Sequence, residues 1–180
     1  RSTPMKELNR RAFLTLTGAA LAMMALAACG ADDGPVAPAA PTNGKEAKVL
    51  EAINKYRGEL PALTLDSGLD PAMELVVKIA KGEVAYNAEN MEKLGTLITN
   101  YNGVCAPIGI GMDNDDEDMR VIPVCVYSDN AEEMAQNLKL QAAGTNLNSP
   151  AIKLVNIKTF EHNGVTYWVA LIAESKKVTT

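Results

Sequence analysis

The chain has one histidine, His162, and that scarcity closes off several chemistries at once. A Ser-His-Asp triad or a Cys-His pair would have to use that single imidazole, and a metal site built on two histidines lacks half of its nitrogen ligands. No Gly-x-Ser-x-Gly elbow occurs, and Gly109-Ile110-Gly111 lacks both the third spaced glycine and the strand-turn-helix setting of a dinucleotide loop. No cofactor is implied. Positive charge is also in short supply: 17 Lys and Arg against 22 Asp and Glu give a formal net charge of −5. An acidic chain carries no electrostatic footprint for nucleic acid or for anionic lipid. There are no internal repeats.

What the sequence does have begins at Met5, with Arg1 to Pro4 set aside. Lys6, Arg10 and Arg11 precede the apolar run Ala12 to Ala28, which ends in small residues before Cys29. That order is the order of an export signal. The run contains Gly18, Thr15 and Thr17 and is shorter than the roughly 20 residues a membrane span requires. Leu26-Ala27-Ala28-Cys29 resembles the lipobox of bacterial lipoproteins, whose cysteine receives a diacylglyceryl group and becomes the new N-terminus. Asn9-Arg10-Arg11-Ala12-Phe13-Leu14 is similar to the twin-arginine export motif, with Thr15 where lysine is often found. An ordinary Sec signal carrying two arginines remains the alternative. The reading is a signal peptide over 1–28, lipidation of Cys29 and a Pro/Ala-rich tether over 29–44, with attachment to the extracytoplasmic face of the membrane through the lipid. With Pro35, Pro38 and Pro41 and no side chain larger than Val36, that tether has too little apolar surface to offset its ordering entropy.

One domain, 45–175, follows, with a tail over 176–180. Val49, Leu50, Ile53 and Tyr56 fall at helical spacing, closed by Gly58 and Pro61. Asp70-Pro71 predicts a second helix with the aspartate as N-cap. A third helix is expected over 88–98. A fourth starts at Asp129, where Glu132 completes a capping box. Val104 to Gly111 and Arg120 to Tyr127 read as a β-hairpin around an acidic tip. In that hairpin Cys105 and Cys125 occupy nearly symmetric positions, and in an exported protein they are expected to form a disulfide, a pair of small core residues being the alternative. Ile152 to Phe160 and Val165 to Ala173 form a second hairpin through Asn163-Gly164, whose residue types suit the positive φ angles of a type I′ turn. The sum is an α+β domain with an antiparallel sheet.

Val49 to Arg57 with Asn54-x-x-Arg57, then Leu63-Thr64-Leu65-Asp66, Leu69 and the helix Ala72 to Ala80, together resemble the opening of the CAP superfamily, or SCP domains. Asn163 to Leu171, with the aromatic pair Tyr167-Trp168, is similar to that family's final strand. The resemblance implies an α-β-α sandwich with a central antiparallel sheet. Asn54 and Arg57, one helical turn apart, would then either line a groove or tie the first helix to neighbouring backbone. Many members hold a metal through two histidines and two acidic residues. Here Gly82 to Asn87 and Gln141 to Thr145 lack both imidazoles, and His162 sits in a hairpin turn instead.

In Asp113-Asn114-Asp115-Asp116-Glu117-Asp118, the residues Asp113, Asp115 and Glu117 are candidate calcium ligands, though the run lacks the central glycine and distal glutamate of an EF-hand. A solvated hairpin tip is the plainer reading. The expected function is a tethered, non-catalytic CAP-like module that binds an extracellular protein, a glycan or a small apolar or lipid ligand. A structural envelope lipoprotein is one alternative. The other is a hydrolase using carboxylates such as Glu51, Glu83 or Glu92.

Overall fold

A computed structural model describes residues 44–113, 119–141 and 146–178. The export segment, Cys29, the tether up to residue 43, Asp115 and Glu117 lie outside the described residues. Among those described, four α-helices and three small sheets make a mixed α+β fold. The helices are α1 (Gly44–Arg57), α2 (Asp70–Ala80), α3 (Ala88–Leu97) and α4 (Ala131–Gln141). The main sheet has the order β1 (Thr64–Leu65), β6 (Leu154–His162), β7 (Val165–Ala173), β3 (Cys105–Ile108). Two-stranded sheets join β2 (Tyr101–Asn102) to β8 (Ser175–Lys176) and β4 (Ile110–Asp113) to β5 (Arg120–Pro123).

The β6–β7 hairpin is the scaffold. Its register runs unbroken from Leu154↔Ala173 to His162↔Val165. Asn163 at φ 50° and Gly164 at φ 76° supply the two left-handed positions of the turn, as their residue types predict. Successive strand side chains point to opposite faces, and β7 divides accordingly. Trp168, Ala170 and Ile172 pack with Val49, Ile53, Met134 and Leu138 of α1 and α4. Val169, Leu171 and Ala173 pack with Met73, Val76 and Leu94 of α2 and α3. The continuous apolar character of Trp168 to Ala173 follows from both faces being covered.

The main sheet is not purely antiparallel. Thr64 and Leu65 pair with Leu154 and Val155 in the parallel sense. A parallel pair requires a long crossover, and this one has most of the domain between its strands. The helix caps also differ from expectation. Asp70 is already helical, preceded by Leu69 with no side-chain cap, and its carboxylate instead accepts from Asn156 Nδ2 at 2.9 Å. At α4 the amide acceptor is Asn130, whose Oδ1 takes Glu132 N–H at 2.9 Å, while Asp129 is bonded elsewhere.

The expected disulfide is absent: Cys105 and Cys125 are both free thiols. The reason is Gly109. Its φ of 103° breaks the predicted long strand in two, so that β3 leaves the hairpin and pairs with β7. In the β4–β5 register, with Ile110 opposite Pro123, continuation would bring Cys125 level with Ile108, not Cys105. Burial pushes the Cys125 thiol up to about 12 and raises that of Cys105 as well, the behaviour of packed rather than reactive thiols.

Gly109 is also hemmed in sterically. A Cβ there would stand 2.4 Å from the Trp168 carbonyl oxygen. Its own carbonyl accepts Val124 N–H at 2.8 Å, and its N–H donates to Gln141 Oε1 at 3.2 Å. Gly109→Ala is expected to lose at least about 2 kcal/mol of stability. In a thermal melt that is a fall of roughly 5–10 °C, and an unchanged midpoint would show that the bend tolerates a side chain.

Candidate functional site

An open cleft of ≈ 630 Å³ lies towards the turn end of the β6–β7 hairpin, beside the start of α1. Lys45 and Lys48, one turn apart at the start of α1, form one wall. Thr159 and Glu161 of β6 and Thr166 of β7 contribute to the floor. The opposite wall is Tyr127 and Asp129, held by a backbone extension of the sheet: Tyr127 N–H donates to Thr166 O at 2.9 Å and Trp168 N–H to Cys125 O at 3.0 Å.

The charges in the cleft are arranged in pairs. Asp129 accepts from Lys48 Nζ at 2.6 Å and from Tyr127 Oη at 2.9 Å. Lys45 Nζ stands 3.9 Å from Glu161 Oε1 and 5.5 Å from the Tyr127 ring centroid. The Thr166 hydroxyl donates to the same Glu161 oxygen. The Lys48 hydrogen bond, then that of Tyr127, holds the Asp129 carboxyl below its ordinary range, and Asp129 in turn raises the Lys48 ammonium. These side chains are about half exposed or more, so water and salt screen the pairs. They orient the walls of the cleft rather than hold the fold together.

Arg57 and Asn54 do not reach this cleft. Arg57 is buried at the end of α1, and its guanidinium donates to backbone carbonyls of Pro61 (3.0 Å), Ile152 (3.2 Å) and Leu147. Asn54 Oδ1 accepts Leu63 N–H at 2.9 Å. Together they tie the helix to the chain that follows it and to the approach of β6. Asp113 lies opposite Arg120 in the β4–β5 register, with a guanidinium nitrogen 3.9 Å away. A cation at Asp113 would therefore meet a positive charge. Glu51, Glu83 and Glu92 are exposed on α1, after α2 and on α3, and none lines the cleft. His162 is half-buried beside the turn, its Nε2 3.3 Å from Asn163 Nδ2.

Two further features bear on binding. Between α2, α3 and the β4–β5 hairpin, the apolar groove lined by Val76, Ile79, Tyr86, Met91 and Leu94 retains only ≈ 10 Å³. That is about the room of a single water, so this groove is filled by its own side chains. Below the other end of the sheet, the buried Asp66 carboxylate accepts Gly68 N–H and Lys176 Nζ, both at 2.9 Å. Burial, and then Asp66, push the Tyr101 phenol up. The salt bridge from Lys176 anchors β8, and Lys177 N–H continues the attachment to Asn100 O at 2.7 Å.

No family model, no curated protein and no solved structure matches the chain, so no CAP or lipoprotein signature comes from those comparisons.

The depressed Asp129 carboxyl has a consequence with a definite sign. A folded-state value below the unfolded one stabilises above the unfolded value and is lost as pH falls through the folded one. In a carboxyl-carbon NMR titration Asp129 is expected to protonate below its ordinary 3.8, and Lys48→Met should move the midpoint back up. A midpoint that ignores the substitution would show that Lys48 does not set it.

Proposed function

We propose that the protein is an exported, lipid-tethered module on the extracytoplasmic face of a bacterial membrane, which binds a polar partner through the cleft beside the hairpin turn. The tether rests on Leu26-Ala27-Ala28-Cys29 placed directly after the run Ala12 to Ala28. A lipobox sulfur is the chemically specific element of that segment, because the acylated cysteine supplies the membrane affinity that an acidic domain lacks. The domain itself is proposed to be an α-β-α sandwich of CAP type. Support for this comes from helices packed on both faces of the hairpin and from the Asn54 and Arg57 staples in the segment that carries the resemblance.

Binding of a polar partner is favoured over an apolar ligand by one observation: the polar cleft is open at ≈ 630 Å³, while the apolar groove is closed at ≈ 10 Å³. Binding is favoured over hydrolysis because Asp129, whose Oδ1 accepts from both Lys48 and Tyr127, is held as a weak base. The closed groove also supports a second reading, a structural envelope lipoprotein with no small-molecule ligand.

Mass spectrometry of the mature protein made in a bacterial host tests the tether. The expected result is an N-terminal Cys29 carrying a diacylglyceryl-sized mass, found in the membrane fraction, with Cys29→Ser leaving an unlipidated and uncleaved precursor. An unmodified Cys29 in the mature protein would overturn the proposal.

A further inference from the structure

Among the described residues, the hydrogen-bond pattern of the main sheet leaves one edge unused beside the cleft. Thr64 N–H donates to Lys153 O at 2.8 Å, and Asp66 N–H to Val155 O at 2.9 Å. The outer edge of β6 is therefore carried by its odd-numbered residues, and the even-numbered ones turn inward to β7. The far side of β7 agrees, since Thr166 and Trp168 make the bonds to the 125–127 segment. At Asp66 the chain turns away into the short 3₁₀ turn Ser67–Leu69, and Asn156 Nδ2 caps the departure by donating to Asp66 O at 2.8 Å. Past Val155, no described residue pairs with the outer edge of β6. Ile157 is buried, but Thr159 is half-buried and Glu161 exposed. Among the described residues nothing bonds to their outward N–H and C=O groups, and their side chains help form the cleft floor.

We infer that the sheet edge beside the cleft takes an extended peptide segment of a partner protein, added as a strand along Thr159–Glu161 of β6 with an acidic side chain turned towards Lys45. The inference rests on the binding-module reading above and names its partner class. Alternating donors and acceptors at strand spacing are matched by another extended backbone and by little else. The sheet already takes a strand on this edge, at Thr64–Leu65. Of the two lysines in the cleft, Lys48 is committed to Asp129 at 2.6 Å, whereas Lys45 is 3.9 Å from Glu161 with half of its side chain exposed. Lys45 is the more loosely held cation, for which an incoming carboxylate competes with Glu161. Every second side chain of an added strand points to the cleft face, so Thr159 and Glu161 supply the backbone groups and Lys45 the charge that an acidic side chain meets.

The test uses the full chain and peptides selected from a displayed library of random dodecapeptides, with affinities measured by fluorescence polarisation. Selected peptides are expected to carry an acidic residue and to shift the amide resonances of Thr159 and Glu161. Thr159→Pro removes only an outward N–H, which an edge strand tolerates, and should weaken binding at least tenfold. Thr159→Val keeps the N–H and should bind within about twofold, and Lys45→Glu should weaken acidic peptides at least fivefold. If Thr159→Pro fails to fold, N-methylation of alternate peptide amides makes the same test from the other side and should abolish binding. Unchanged affinity in either case overturns the inference, as does a selection that yields no binder. Concentration-dependent protection of the Thr159 and Glu161 amides without peptide would also overturn it, assigning the edge to a second copy of the chain. None of these outcomes touches the Cys29 lipid, so the tether stands or falls separately.

Discussion

The unbroken antiparallel register of β6 with β7 is the constraint on which the rest of the domain depends. A one-residue slip would exchange the two faces of the strand. Trp168, Ala170 and Ile172 would then be offered to α2 and α3, and Val169, Leu171 and Ala173 to α1 and α4. Asn163 and Gly164 prevent the slip by fixing a two-residue turn, and the two helical layers lock it from either side. The turn also sets how far the hairpin projects, which is why the cleft lies where it does. Its floor is the stretch of sheet beside the first turn of α1.

The second structural device is the end of α1. The guanidinium of Arg57 gathers carbonyls from two stretches of chain, Pro61 and the segment 147–152, and Asn54 receives Leu63. Burying an arginine is costly unless its donors are used, and here they are used on backbone that would otherwise lack partners. The groups thus hold the loop before β1 and the approach to β6 against the same helix. This positions the short parallel strand at one end of the edge and leaves the other end open.

Local signals in the sequence carried much of this. The spacing of Val49, Ile53 and Tyr56, the Gly58 and Asp70-Pro71 boundaries and the Asn163-Gly164 turn depend on neighbours along the chain, and the helices and the last hairpin are legible from signals of this kind. Features decided by distant partners are not. Asp70 and Asp129 have the residue type of caps, but Asn156 and Lys48 claim their carboxylates from across the fold. Thr64 and Leu65 give no hint of a parallel partner that follows most of the domain. Gly109 looks like part of a continuous β run, and only the approach of Trp168 makes it a bend, with the consequence that Cys105 and Cys125 part company. The cleft had one local trace, Lys45 and Lys48 at helical spacing, whereas Tyr127, Asp129, Glu161 and Thr166 come together only through the sheet.

The claim that one hairpin organises both helical layers is tested most directly by native-state hydrogen exchange followed against increasing denaturant. The amides of Ile53 in α1, Val76 in α2 and Leu171 in β7 should converge on a single unfolding isotherm, because both layers pack on the same hairpin. If Val76 and its neighbours in α2 and α3 exchange through a separate, lower-energy opening while Ile53 and Leu171 stay protected, the hairpin is not the common scaffold described here.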